Sequence, residues 1–287
     1  MKKKIFSPED INKLLAHSVI KNITNEGSLG KTMIAAVEAG IVRRKEIPVA
    51  LFACDHARQD LVTSYGSRTK GELDEVQDPS NGVLFIDSRY YADELIDNLD
   101  KYDTLIIEDH KADSLDEQNA KHKSPAAFVR DYETSDKILW YFVPVATNPK
   151  SIDSLNVVAN TFRGININRT VQFVFVLNKG LMHAQGGDRQ IAEVMKAYNE
   201  CEAVKEMIAS GNAYEIIIDD QLSVEAATIV KTNSLDQIIA MKKAKQIGKF
   251  DYGTIMGLFE TFEEQFFGVF KTYLERHGLP FADTEEE

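Results

Sequence analysis

Residues 25–32 read Asn-Glu-Gly-Ser-Leu-Gly-Lys-Thr, so two glycines and a serine precede a lysine and a hydroxyl side chain. Residues this small let backbone N–H groups approach an oxyanion, a lysine ammonium binds the β- and γ-phosphate oxygens, and a threonine hydroxyl holds Mg²⁺. The segment follows an apolar, β-branched run, Ser18-Val19-Ile20-Lys21-Asn22-Ile23-Thr24. It opens a helix with Met33, Ile34, Val37 and Ile41 on one face. A helix N-terminus adds further unpaired N–H groups and the positive end of a dipole. The chemistry expected of Glu26, Gly27, Ser28, Leu29, Gly30, Lys31 and Thr32 is therefore binding of a nucleoside triphosphate.

Such a loop needs a frame behind it. Apolar strands are expected at 48–54, 83–87, 104–108, 138–143, 170–177 and 214–218, alternating with helices at 90–99, 151–162, 188–208 and 222–230. Strands separated by helical crossovers imply an α/β fold: a doubly wound, mostly parallel sheet with helices on both faces. Ser7-Pro8-Glu9-Asp10 carries the residues of a helix N-cap, its first-turn proline and its returning acid. Residues 251–276 place Ile255, Leu258, Phe259, Phe262, Phe266, Phe270 and Tyr273 at helical spacing before Gly278 and Pro280, as expected of a helix packed on the sheet. The reading is one domain over 1–287, with a core at 18–240, a helical extension at 241–278 and a solvated acidic tail at 279–287.

The 287 residues are 44% hydrophobic and 27% charged, enough for a substantial core. The net charge of −12 argues against a surface built uniformly for nucleic acid. Lys231, Lys242, Lys243, Lys245 and Lys249 could form a local patch for nonspecific DNA or equally a solvated helix face. The basic start turns polar by Ser7, and no run reaches the ~20 apolar residues of a membrane span. A cytoplasmic protein without membrane partners is expected. Cys54 and Cys201 are the only cysteines, and neither they nor His56, His110 and His183 show metal-ligand spacing.

From Gly27 onward the loop resembles the deviant phosphate loop K-G-G-x-G-K-[ST] of the ParA/MinD family of partition and positioning ATPases. Glu26 stands where that family has its signature lysine, and Ser28 replaces its second glycine. The resemblance continues in order over roughly 18–240. Val49-Ala50-Leu51-Phe52-Ala53-Cys54-Asp55 is similar to the family's next strand and acidic switch, which implies Asp55 as the water-orienting or metal-side carboxylate. Asp55 also suits a helix cap. Tyr102-Asp103-Thr104-Leu105-Ile106-Ile107-Glu108-Asp109 resembles the Walker B strand, whose closing acid binds Mg²⁺ through water. Residue type favours Asp109 in that role, and counting from Asp103 favours Glu108. Asn178 stands where the family contacts adenine, although an ordinary strand-ending turn also fits. Asn178-Lys179-Gly180-Leu181 has leucine where a guanine motif needs aspartate, which favours ATP.

The resemblance implies a nucleotide-dependent switch that forms a homodimer and acts in plasmid or DNA partition, stability or conjugation, directly on DNA or through a DNA-binding partner. ATP and Mg²⁺ would be its cofactors, with Lys31 and Asp55 catalytic and Thr32, Asp55 and Asp109 or Glu108 around the metal. The family's signature lysine reaches a partner's phosphates, whereas two like charges ~4 Å apart repel by ~4 kcal/mol at an effective dielectric near 20. Glu26 therefore implies weak hydrolysis, or a pseudo-ATPase adaptor that binds nucleotide without turnover. A ligase resembling dethiobiotin synthetase is the alternative from another class. The Gly180–Arg189 stretch, with Gly186-Gly187, reads as an ordinary loop, or as a mobile one that closes over nucleotide.

Overall fold

The computed structural model describes residues 6–24, 29–55, 59–112, 124–146, 150–162, 164–165, 167 and 169–279. In chain order these form α1 (Pro8–Ala16), β1 (Ser18–Thr24), α2 (Lys31–Arg44), β2 (Val49–Cys54), α3 (Asp60–Tyr65), β3 (Arg68–Thr69), β4 (Glu72–Leu73), β5 (Leu84–Phe85), α4 (Ser88–Lys101) and β6 (Leu105–Ala112). Then follow α5 (Pro125–Thr134), β7 (Ile138–Val145), α6 (Lys150–Thr161), β8 (Val171–Asn178), α7 (Lys179–Glu200), α8 (Glu202–Ala209), β9 (Ala213–Ile218), α9 (Val224–Thr232), α10 (Leu235–Lys243) and α11 (Lys249–His277).

Seven strands make one sheet in the order β5-β2-β6-β1-β7-β8-β9, and every pairing is parallel. This is the expected doubly wound α/β architecture. Parallel neighbours require crossovers, and helices cover both faces: α1, α2, α9, α10 and α11 on one, α4 to α8 on the other. Two-sided cover explains why β1, β2, β7 and β8 are buried at every residue. The short antiparallel hairpin β3–β4 stands outside the sheet.

The cap at Ser7 forms as its residue types require, with Ser7 and Asp10 bonding each other's backbone N–H. Along α11, Ile255, Leu258, Phe259, Phe262, Phe266, Phe270 and Tyr273 are all buried. Phe270 and Tyr273 bring their ring centroids to 4.6 and 5.2 Å from that of the buried Trp140 on β7. At Gly40 of α2 a Cβ would lie 2.6 Å from the Tyr65 hydroxyl and 2.8 Å from the Phe259 ring, so glycine is what lets α2, α3 and α11 close together.

One helix expectation is corrected. The helix read at 188–208 is two helices parted at Cys201, whose backbone is extended. The stretch 180–189 is helical rather than a loop, because Asn178 Oδ1 accepts from the Leu181 N–H at 3.0 Å and starts α7 early. Gly187, at φ 63°, kinks that helix.

Two side chains finish the sheet. Gln265 of α11 accepts from the Ile217 N–H at 2.7 Å and donates to the Ile217 carbonyl at 2.8 Å, occupying part of the outer edge of β9. Lys137, just before β7, donates to the carbonyls of Ala16 and Tyr102 at 2.8 Å each and of Thr104 at 3.4 Å. Burial lowers its pKa, and three carbonyls need its three donors. Lys137→Met is expected to lower unfolding free energy by ~2–3 kcal/mol in urea titrations, because it strands these acceptors.

Candidate functional site

The C-terminal ends of β1, β2, β6 and β8 meet at one edge of the sheet, where parallel α/β folds bind ligands. Gly30 is the N-cap of α2 at φ 97°, in the left-handed region, and offers no side-chain cap. A Cβ there would also stand 3.2 Å from Asn178 Nδ2, so conformation and space both demand glycine. Lys31 and Thr32 form the first turn of α2, and Leu29 is buried before it. Lys31 Nζ donates to Thr24 Oγ1 at 2.9 Å, joining the start of α2 to the end of β1. Glu26, Gly27 and Ser28 lie outside the described residues.

Asp109 approaches this turn, with the Thr32 side chain close enough to lower its pKa. Its Oδ1 is buried without a hydrogen-bond partner. Burial pushes its pKa up to about 7, Thr32 and Lys31 pull it down, and Asp55 and Asp60 push it up. An orphaned carboxylate oxygen beside a hydroxyl is the donor set a hard divalent cation takes, and a cation there would favour the ionised form. Glu108, one residue earlier on β6, faces the other side of the sheet. It pairs with Lys21 at 3.0 Å and with His110 at 2.6 Å. Burial alone would raise the Glu108 pKa, but Lys21 and His110 outweigh it and hold it low. Thr32 is thus brought to Asp109 and not to Glu108.

Asp55 is half-buried at the end of β2 and faces the same cleft. Gln59 is the N-cap of α3, so Asp55 does not cap that helix. The cleft holds roughly 400 Å³, within the range of small-molecule sites. Its wall combines Gly30, Lys31, Thr32, Asp55 and Asp60 with residues after β8 and β9, namely Asn178, Gly180, Leu181, Asp220 and Leu222, and with Lys231 of α9. Asn178 serves two ends: Oδ1 caps α7, and Nδ2 is buried without a partner. At Gly180 a Cβ would fall 1.9 Å from the Asp220 carbonyl oxygen, so a glycine is needed where the first turn of α7 meets the segment after β9.

Sequence reading missed the wall after β9, which lies nearly 200 positions from Lys31 and Thr32. A glycine two residues past a strand end, Gly180, was its one local sign. Of the lysines read as a DNA patch, Lys231 lines the cleft and Lys242 lies 5.2 Å from the Tyr252 ring. Lys243, Lys245 and Lys249 are exposed.

Beneath the turn, Glu38 of α2 is fully buried and accepts from Asn22 Nδ2 at 2.7 Å. Burial raises its pKa well above the ordinary range, the Asn22 bond lowers it, and Asp109 raises it further. A raised folded-state pKa gives stability that is present below the unfolded value of 4.5 and is lost as pH rises toward the folded value. Over that window the wild type should lose up to about 1.4 kcal/mol per pH unit from this group. Glu38→Gln is expected to flatten that slope in unfolding measurements between pH 5 and 8; an unchanged slope would show that Glu38 does not carry it.

No protein-family model and no curated protein matches the chain. Among solved structures, it is similar to a nucleotide-binding protein in complex with ADP from Archaeoglobus fulgidus, at 11% identity and a TM-score of 0.39, covering 79% of this chain and 92% of that chain. A likeness at that distance transfers no activity. No helix among the described residues is long and apolar enough to cross a membrane.

Proposed function

We propose that the chain binds ATP with Mg²⁺ in the cleft at the start of α2 and works as a nucleotide-dependent switch of the ParA/MinD type. The carrying observation is Asp109, whose Oδ1 is buried and unpartnered, set close enough to Thr32 and Lys31 for both to lower its pKa. In this reading Thr32 holds Mg²⁺ and Asp109 supports it through water, while Lys31 exchanges its Thr24 contact for β- and γ-phosphate oxygens. Mg²⁺ would neutralise charge on those oxygens. Asp55 orients the attacking water, and Asn178 Nδ2 donates to an acceptor on the base. A bound triphosphate changes affinity for a second copy or a partner, including DNA or a DNA-binding protein, only through contacts that differ between the two states.

Calorimetric titration with ATP and GTP, with and without Mg²⁺, tests this directly. Binding of ATP that strengthens with Mg²⁺ and exceeds that of GTP is expected, because Leu181 offers guanine no acceptor. Absence of ATP binding at millimolar concentration would remove the proposal. Glu26 favours a second form of it, an adaptor that binds without turnover. Phosphate release in the same samples separates the two, and Glu26→Lys should raise turnover or dimer mass if that charge is the obstacle.

A further inference from the structure

On the sheet face opposite Asp109, one further group of metal-ligating side chains gathers among the described residues: Cys54 at the end of β2, with Glu108 and His110 on β6. Strand register sets Cys54 beside His110 and Lys21 beside Glu108. The thiol sulfur, a carboxylate oxygen and an imidazole nitrogen lie within 4.8 Å of one another, and all three residues are buried. Glu108 Oε2 is 2.6 Å from His110 Nε2 and 3.0 Å from Lys21 Nζ. Two hydroxyls in the same core, those of Tyr132 on α5 and Tyr141 on β7, are buried without hydrogen-bond partners. Burial dominates the ionisation of Tyr132, and Glu108 and Cys54 are both close enough to act on it as well. Orphaned hydroxyls in a dry core are costly, and a ligand that engages them relieves that cost.

We propose that Cys54, Glu108 and His110 bind a borderline divalent transition-metal ion of the Zn²⁺ class, separately from the Mg²⁺ of the nucleotide cleft. A mixed sulfur, nitrogen and oxygen set selects such an ion over Mg²⁺. Donors ~2.0–2.3 Å from a tetrahedral ion stand roughly 3–4 Å apart, so on binding the Glu108 and His110 donors part from their 2.6 Å contact while the sulfur, within 4.8 Å of both, draws in by no more than about 1 Å. On binding, the Cys54 thiol gives its proton to solvent and its thiolate bonds the metal, while His110 coordinates as neutral imidazole. Lys21 retains one carboxylate oxygen of Glu108 as an outer contact, and the Tyr132 hydroxyl is the neighbouring candidate for a fourth position. Sequence spacing did not show the site because its sulfur ligand comes from the adjacent strand.

The competing account is that Lys21 is itself the cation of this cluster. Metal-free full-length protein titrated with Co²⁺ decides between them. A sulfur-to-cobalt charge-transfer band saturating near one equivalent, abolished by Zn²⁺ and unaffected by excess Mg²⁺, is expected in the wild type. Elemental analysis should find Zn²⁺ retained after gel filtration. Cys54→Ser should lose the band, and Lys21→Met, which removes a like charge, should bind more tightly and gain thermal stability on adding Zn²⁺. A wild type with no band and no retained Zn²⁺ overturns the site whether or not either variant folds, and so does a band that survives in folded Cys54→Ser.

Discussion

Lys31→Ala is expected to weaken ATP binding by ~100-fold, since loss of charge-assisted hydrogen bonds to phosphate costs about 3 kcal/mol. Its ammonium donates to a neutral acceptor, Thr24 Oγ1 at 2.9 Å, and a neutral hydrogen bond contributes ~1 kcal/mol to folding, the loss of stability expected here. Binding and folding therefore respond very differently to one substitution. That split matters, because a lysine that merely braced the loop would affect stability more than affinity. Calorimetry with ATP–Mg²⁺ and urea unfolding on the same preparation measure both, and unchanged ATP affinity in Lys31→Ala would place the triphosphate elsewhere.

The adjacent acids of β6 should answer to substitution in opposite ways. Glu108→Gln leaves the Lys21 ammonium, 2% exposed, without its carboxylate. Breaking one partner of a buried pair costs ~3–5 kcal/mol, so this variant should unfold at much lower denaturant. Asp109→Asn removes a charge that burial already disfavours, and its stability should stay within ~1 kcal/mol of wild type. Its loss appears instead in the Mg²⁺-dependent part of ATP affinity, by at least ~10-fold, equivalent to ~1.4 kcal/mol. The reverse pattern would make Glu108 the metal-side acid.

That contrast also marks how far the sequence could be read. Alternation along β6 guarantees that residues 108 and 109 part, but it does not set the phase. The phase comes from packing: Ile107 is buried against the α2 face and Ile106 against the other, which carries Asp109 to Thr32. The parallel sheet was legible because runs such as Ile138–Val145 are apolar without a break. The glycine N-cap and first turn of α2 were legible because Gly30, Lys31 and Thr32 are local. Asp220, Leu222 and Lys231 were not, since they meet the loop only through the strand order. The early start of α7 depended on one capping bond from Asn178, which competes with a turn of the same composition. Cys54 showed no metal spacing for the same reason that the cleft wall was hidden: strand pairing, not chain distance, makes neighbours.

The carboxamide of Gln265 lies where an eighth strand would begin. It satisfies both backbone groups of Ile217, the donor and acceptor that an incoming chain would otherwise recruit. A single helical side chain thereby makes this part of the border self-sufficient, so growth of the sheet from molecule to molecule meets a closed register at Ile217. Any nucleotide-controlled association is left to surfaces that respond to the ligand, rather than to a border that would be adhesive in every state.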